Sequence, residues 1–298
     1  MHKNILTEPV VRFPGSKVFR PLGGDRHLSV VLLHGSEGGS AGYRDEEAKE
    51  LASHGYSVLV LCYFDCARKP EANSATLKDV DTSMVLDAIQ WLREQPFSDG
   101  RVVVNGWSRG GELAMIVGSL NAGGRLPEAL IAHTPSDVFN GSFNWLWTDA
   151  KCWTCKGPSC SKNSPKSQFK WNGLCGPDDP NRIDLTKSAF LINGTSVKEG
   201  SRIAIEKFSG PVLITVGTKD KMWPVDQTRR IEKTLKQANR AAEIHYFEGD
   251  GHIFKGSKER CRRNLTLAFL QKVPKNADHK AASAYPTISA PSHAEAAR

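Results

Sequence analysis

The amino-acid sequence predicts an α/β protein in which helices flank a mostly parallel central sheet. Short apolar runs rich in β-branched residues alternate with segments whose apolar residues recur at helical spacing, and this alternation is typical of a parallel sheet. One run leads into a glycine-rich turn around a serine, and two later runs precede an aspartate and a histidine. Polar residues just after strands indicate a site at the carboxyl edge of the sheet.

The glycine-rich segment 34–39 follows the first predicted buried strand, residues 28–33. In enzymes that stabilise an oxyanion on this kind of sheet, one N–H donor comes from the loop after an early strand. The backbone amide of Ser36 is therefore a candidate donor, with that of Glu37 as the substitute. The loop lacks the lysine and the serine or threonine of the G-x-x-x-x-G-K-[ST] phosphate-binding pattern, so we expect no nucleotide site.

Two helices are predicted next, over residues 43–53 and 76–94. In the second, Thr76 and Asp79 form a plausible capping pair and Pro96 follows the end. Its apolar residues recur at helical spacing and are expected in the core; they are Leu77, Val80, Met84, Ala88 and Trp91.

The run Gly106-Trp107-Ser108-Arg109-Gly110 lies between the apolar strand predicted at 101–105 and a helix start at 112–117. G-x-S-x-G in this context is the nucleophile-elbow pattern, in which glycines leave the space that a sharp turn needs. Ser108 is therefore the candidate nucleophile. A glycine-rich turn with an idle serine fits the five residues alone but not their context. The amide of Arg109, directly after the nucleophile, is the second candidate oxyanion donor.

A candidate acid and base follow the serine in the order that a Ser-His-Asp triad takes on an α/β sheet. Asp220 lies just beyond a buried strand predicted at 211–217, and a helix is predicted at 225–237. His252 lies further on, in a loop of small residues that lets it fold toward Ser108. We expect Asp220 to orient His252, and His252 to accept the serine proton.

Other aspartates and histidines compete for these roles. Asp226 lies in a predicted helix and Asp250 lies two residues before the candidate base. Topology favours Asp220, because a residue just past a strand end can approach the histidine loop. His245 lies midway along the strand predicted at 242–247, where a packed or surface histidine is expected rather than a base.

Three stretches, residues 105–114, 203–224 and 55–63, together resemble a known family. They are similar to the C-terminal domain of acyl-CoA thioesterases and bile acid-CoA:amino acid N-acyltransferases, which carries G-x-S-K-G-G-E-L at its elbow. Arg109 stands where that family has lysine. The resemblance implies an α/β-hydrolase fold, related to that of dienelactone hydrolases, with Ser108, Asp220 and His252 as the triad and an acyl-CoA ester as the substrate.

Residues 139–207 are expected to form a cap inserted within a single hydrolase domain spanning residues 1–274. A long segment with weak periodicity is usually a functional lid or disordered, and its tryptophans argue against disorder. Residues 275–298, rich in Ala, Ser and Pro, are predicted to be a disordered tail. The candidate pocket residues are Glu37, Trp107, Trp145, Trp147 and Trp223.

The cap cysteines allow three interpretations: a zinc site, two disulfides or free thiols. They are Cys152, Cys155, Cys160 and Cys175. Disulfides are favoured over zinc because a small cap without an obvious core needs a covalent link, and no metal site is firmly predicted. Cys62, Cys66 and Cys261 are expected to be reduced.

The formal net charge of +8 is spread over cap lysines and helix arginines. It fits a solvated surface or the attraction of an anionic substrate such as a CoA ester. The basic residues concerned are Lys151, Lys156, Lys162, Lys166, Lys170, Arg229, Arg230, Arg260, Arg262 and Arg263. No nucleic-acid module is recognisable, so we expect no nucleic-acid partner.

The apolar runs are too short to suggest a membrane span, which needs about 18 or more apolar residues. The N-terminal residues lack the apolar stretch of a secretory signal. We therefore expect a cytoplasmic location, or a secreted or periplasmic one if a leader has been removed and the cap cysteines are paired.

The sequence as a whole predicts a serine hydrolase that cleaves an ester or a thioester, without a cofactor. Acyl transfer to an amine and dienelactone-type ester cleavage are the alternatives among enzymes. A non-catalytic binding protein on a hydrolase frame is the alternative from another class. An intact set of triad residues in order weighs against that last hypothesis.

Overall fold

The computed structural model describes residues 5–66, 76–144 and 187–274. Within these residues eight strands form the main sheet: β1 (Ile5–Pro9), β2 (Lys17–Pro21), β3 (His27–Leu33), β4 (Ser57–Leu61), β5 (Ser98–Trp107), β6 (Ala129–His133), β7 (Val212–Gly217) and β8 (Ala242–Phe247). Their order across the sheet is β1-β2-β4-β3-β5-β6-β7-β8. Strand β2 runs antiparallel to both of its neighbours, and β3 to β8 are mutually parallel. The predicted α/β class is confirmed.

Helices cover both faces of this sheet. They are α1 (Asp45–Ser53), α2 (Ser83–Glu94), α3 (Arg109–Ser119), α4 (Val225–Gln237) and α5 (Gly256–Gln271). Apolar residues of α2, α3 and α4 pack in one buried cluster, and those of α1 and α5 pack in a second cluster with the opposite faces of the same strands. Strands buried on both sides read as nearly continuous apolar runs, which explains why β3, β5 and β7 were recognisable.

Helix α2 begins later than predicted, at Ser83 rather than at residue 76. Two short strand pairings occupy the intervening residues: Thr76–Leu77 pairs with Phe143–Asn144, and Val80–Asp81 pairs with strand residues near 190. Asp79 has a φ of 52°, which a helix interior excludes. The predicted Thr76 and Asp79 capping pair is therefore wrong. The Asp81 carboxylate instead accepts a 2.8 Å bond from the Ser83 N–H.

Both described ends of the predicted cap are held by the domain. Lys187–Ile192 and Thr195–Lys198 form an antiparallel hairpin, whose first strand runs parallel to Val80–Asp81. Predictions for Trp145, Trp147 and the four cap cysteines lie outside the described residues, as does the tail 275–298.

A disulfide joins Cys62 and Cys66, so the expectation that both are reduced is wrong. Strand β4 ends at Leu61, and the turn that follows brings the two Cα atoms to 5.6 Å, the usual separation for a disulfide. Cys261 is a free, exposed cysteine, as expected.

Helix length and composition also bear on membrane association. Within the three described ranges, no helix combines the length and the apolar character that crossing a membrane demands.

Candidate active site

Ser108 forms a sharp turn between the end of β5 and the first residue of α3. Its φ of 53° and ψ of −118° are a strained combination for a residue with a side chain. A Cβ on Gly106 would overlap the carbonyl of Gly110, and one on Gly110 would overlap the carbonyl of His34. The G-x-S-x-G spacing is thus required by close backbone packing. The Ser108 N–H donates to the carbonyl of His133 at 2.9 Å, which fixes the turn to β6.

The structure brings Ser108, His252 and Asp220 into one hydrogen-bonded chain. Nε2 of His252 lies 2.8 Å from Oγ of Ser108, and Nδ1 lies 2.7 Å from Oδ2 of Asp220. The Asp220 side chain is fully buried and that of His252 is 10% exposed. A carboxylate at Nδ1 leaves Nε2 free to accept a proton from the serine.

The carboxylate of Asp220 is itself held in place by the turn that follows it. Its second oxygen, Oδ1, accepts N–H bonds from Met222 at 2.8 Å and from Trp223 at 3.0 Å. The ring of Trp223 packs edge-on against His252, with centroids 5.5 Å apart. Both contacts restrict the acid and the base to one geometry.

The competing residues have other surroundings. Asp226 forms an exposed ion pair with Arg229 on α4 at 2.8 Å. The backbone carbonyl of Asp250 accepts a 2.7 Å hydrogen bond from the Lys219 N–H. His245 lies in β8, where it pairs in register with Thr215 of β7.

The loop after β3 lies against the nucleophile, where the oxyanion prediction needs it. A Cβ added to Gly35 would lie 3.3 Å from the Ser108 Cβ. Arg109 is the first residue of α3, so its amide belongs to the helix N-terminus, which favours negative charge. The donor roles of the Ser36 and Arg109 amides remain predictions. Glu37 belongs to this loop, and its carboxylate lies 3.6 Å from the guanidinium of Arg44.

The two described tryptophans among the pocket candidates have different positions. Trp223 is half-buried beside His252. Trp107 is 7% exposed and packs edge-on against Phe254. Guanidinium carbons of Arg44 and Arg262 lie 5.3 and 4.9 Å from the Trp107 ring centroid. Trp107 therefore packs in a polar and aromatic layer below the elbow.

A buried ionic network below the elbow was missed by sequence reasoning. The Arg262 side chain is fully buried, which contradicts its expected place on a solvated helix surface. It donates to Glu47 of α1 at 2.9 Å and contacts Nε2 of His133 at 2.7 Å, and two further bonds join it to Glu259. Burial alone would raise the pKa of Glu47, but the guanidiniums of Arg262 and Arg44 outweigh it and hold that pKa below its usual range. Of these contacts, only the one between Arg262 and Glu259, three residues apart on α5, could be predicted from the sequence.

A second buried pair anchors α3 to the first residues of the predicted cap segment. Arg109 donates to the Glu112 carboxylate at 2.7 Å and to the carbonyl of Gly141. Glu112 also accepts the Asn140 N–H at 2.8 Å. Burial raises the pKa of Glu112, against the opposing effect of Arg109. The side chain next to the nucleophile thus holds residues 140 and 141 in place.

Two buried histidines predict a loss of stability in acid. Burial lowers the pKa of His34 from 6.5 to about 4 and, together with the charge of Arg262, lowers that of His133 well below 6.5. Below pH 6.5 the unfolded chain binds protons that the folded chain excludes, so stability falls with pH. From pH 7 to pH 5 the loss due to His34 is expected to be about 2 kcal/mol, and His133 adds to it. Urea unfolding midpoints at several pH values measure this loss.

A matched pair of variants tests the origin of that pH dependence. His34→Gln removes one buried group and should flatten the decline between pH 6.5 and about 4. His54→Gln changes an exposed histidine and should leave it as in the wild type. An unchanged decline in His34→Gln would contradict the assignment.

Comparison with known proteins identifies the fold and a family match. Residues 184–286 match the model of the dienelactone hydrolase family. Human acyl-coenzyme A thioesterase 6 is 25% identical over 251 residues, which cover 80% of this chain and 51% of that protein. The chain spans about half or less of the length of the curated relatives it matches.

Two groups of solved structures share the fold. A putative dienelactone hydrolase from Klebsiella pneumoniae has a TM-score of 0.57 and 17% identity, covering 91% of this chain and 100% of that one. Esterase 2 from Thermogutta terrifontis, in its apo form, has a TM-score of 0.56 and 17% identity, covering 92% and 96%. At this identity the likeness concerns the fold. The chain therefore has the α/β-hydrolase fold, and its residues 184–286 match the dienelactone hydrolase family.

Proposed function

We propose that this protein is a serine hydrolase that cleaves a carboxylic ester or thioester through an acyl-enzyme on Ser108. The observation that carries the proposal is the hydrogen-bonded chain from Asp220 through His252 to the Ser108 hydroxyl. The strained elbow adds support, because strain of this kind is maintained where a reactive group must be presented.

Each group has one role in the proposed reaction. His252 Nε2 removes the Ser108 proton as the serine oxygen bonds to the acyl carbon, and Asp220 stabilises the imidazolium that forms. The amides of Ser36 and Arg109 bind the carbonyl oxygen as it becomes negative. The tetrahedral intermediate then expels the alcohol or thiol, which takes the proton from His252. Water, activated by His252, attacks the acyl-enzyme and regenerates Ser108.

The exposed rim beside the acid and base favours a substrate with an apolar acyl group. Met222 is 37% exposed two residues after Asp220, and Ile253 is 64% exposed directly after His252. Trp223 is half-buried and packs against the ring of His252. Apolar side chains of this size around a nucleophile provide contact area for an acyl chain.

An acyl-CoA thioester is the finer proposal for the substrate. It is supported by the similarity to an acyl-coenzyme A thioesterase and by the net charge of +8, which attracts phosphates. The family match over residues 184–286 favours a second candidate, a dienelactone-type ester. Both candidates use the same nucleophile and differ in the leaving group.

A salt titration distinguishes the two candidates. If basic side chains bind the CoA phosphates, kcat/KM for an acyl-CoA should fall steeply with added salt, because screening shortens to about 3 Å at 1 M. The same acyl group on a neutral p-nitrophenyl ester is the matched control and should respond little. Equal responses, or no thioester turnover, would refute the acyl-CoA proposal and leave the esterase.

A further inference from the structure

The turn closed by the Cys62–Cys66 disulfide packs directly against the loop after β3 that carries the proposed oxyanion donor. The N–H groups of Gly39 and Ser40 donate to the carbonyls of Phe64 and Asp65 at 3.1 and 2.7 Å. The hydroxyl of Ser40 donates to the Asp65 carboxylate at 2.6 Å. Three hydrogen bonds therefore join two consecutive residues of one loop to two consecutive residues of the other.

Contacts at the start of the loop add to this connection. Tyr63 stacks on His34 with centroids 4.2 Å apart and planes 7° apart, and its hydroxyl donates to the His34 carbonyl at 2.7 Å. Gly39 lies so close to Cys62 Sγ that no side chain would fit. Both ends of segment 34–39 thus rest on residues 62–66, which the disulfide encloses.

The other side of the same loop meets the nucleophile. A Cβ added to Gly35 would lie only 3.3 Å from the Cβ of Ser108, so the two backbones are close. Gly110 of the elbow packs against the His34 carbonyl. Loop 34–39 is consequently held between the disulfide-closed turn on one side and the elbow on the other. A shift of the turn would be transmitted to the loop, because its backbone is bonded to residues 64 and 65.

The turn contains one residue in an uncommon backbone conformation. Asp65 has a φ of 48°, in the left-handed region that aspartate adopts more often than most residues with side chains. Closure between Cys62 and Cys66 limits the alternatives open to the three enclosed residues.

We infer that the Cys62–Cys66 disulfide is a positioning element for the oxyanion loop. It holds the Ser36 amide at the distance from Ser108 that the developing negative charge requires. The inference rests on the proposed function, since it concerns the same oxyanion site. Reduced to two thiols, the turn should retain its fold but lose this accuracy, and the loss should affect the transition state more than substrate binding.

The test compares three forms of the full chain with p-nitrophenyl butyrate as the substrate. They are the wild type, the wild type reduced by a phosphine and then desalted, and the double variant Cys62→Ala/Cys66→Ala. In the last two we expect kcat to fall about tenfold, less than the 10²–10³-fold cost of deleting one oxyanion donor. KM should stay within about twofold, and reoxidation should restore the reduced wild type.

Controls separate this effect from other cysteines and from failure of the proposed function. Cys261→Ala removes the exposed free cysteine and should keep wild-type kcat and its response to the reductant. The double variant should not respond to the reductant further. Modification of Ser108 by a fluorophosphonate, followed by mass spectrometry, should slow in parallel with kcat, whereas no modification in any form would refute the nucleophile itself.

Three outcomes would overturn the inference. A wild-type kcat in the double variant would show that the loop needs no such support. A reductant response that persists in the double variant would assign the loss to Cys152, Cys155, Cys160 or Cys175. Loss of the far-ultraviolet circular dichroism signal in both the reduced protein and the double variant would show that the disulfide serves folding alone.

Discussion

Ser108→Ala is expected to fold normally and to lose ester hydrolysis by about 10⁴-fold or more in kcat. The serine side chain is small, and its N–H bond to the His133 carbonyl, which fixes the turn, belongs to the backbone and survives the change. What disappears is the oxygen that lies 2.8 Å from His252 and that would form the proposed acyl-enzyme. Steady-state kinetics on p-nitrophenyl esters, with the unfolding midpoint measured alongside, check both parts.

The control for this variant is a serine that is buried like Ser108 but lies away from His252 in the contacts described. Ser136 is fully buried and bonds only to the nearby Val138 backbone in the contacts described. Ser136→Ala should therefore keep its turnover. Near-wild-type hydrolysis by Ser108→Ala would end the mechanism proposed above.

His252→Ala should reduce kcat as much as Ser108→Ala, because the two residues act as one unit. Asp220→Asn should cost somewhat less, since it keeps the shape of the side chain but favours the wrong histidine tautomer. Combining His252→Ala with Ser108→Ala should add little to either loss. The measurement is kcat for the single and double variants under identical conditions.

Two aspartates provide matched controls for the acid. Asp226→Asn alters an exposed ion pair with Arg229, and Asp250→Asn retains the carbonyl that accepts the Lys219 N–H. Both should keep most of the activity. Should Asp250→Asn prove the more damaging change, the assignment of Asp220 is wrong and the histidine is oriented by a different acid.

Helices and strands could be predicted from the sequence where their apolar periodicity matches the face that is buried. Helix 225–237 and strand 242–247 have the predicted bounds, because their periodicity and their burial agree. The helix prediction for residues 76–82 was wrong for the opposite reason. Their apolar spacing is helical, yet pairing with segments near residues 143 and 190 provides backbone bonds that local propensity cannot anticipate.

In the candidate site, too, local patterns could be predicted and contacts between distant residues could not. The proximity of Ser108, Asp220 and His252 could be predicted because each follows a recognisable strand, and the carboxyl ends of parallel strands lie at one edge of the sheet. The contact between Glu47 and Arg262 spans 215 residues, and neither residue lies in a motif. The Cys62–Cys66 disulfide was missed because the turn that brings the two cysteines together is defined only in three dimensions.

The buried contact between Arg262 and Glu47 has a consequence for the order of events during synthesis. Helix α1 emerges early from the ribosome with Glu47 on its inner face and Arg44 beside it, while Arg262, the other partner of Glu47, lies on α5. A buried carboxylate that lacks one of its partners is costly, so we expect α1 to settle fully only when α5 docks. His252 precedes α5 by only a few residues. Ser108 and His252 can therefore meet only at this late stage, and we expect a nascent chain to lack the proposed activity until α5 has been made.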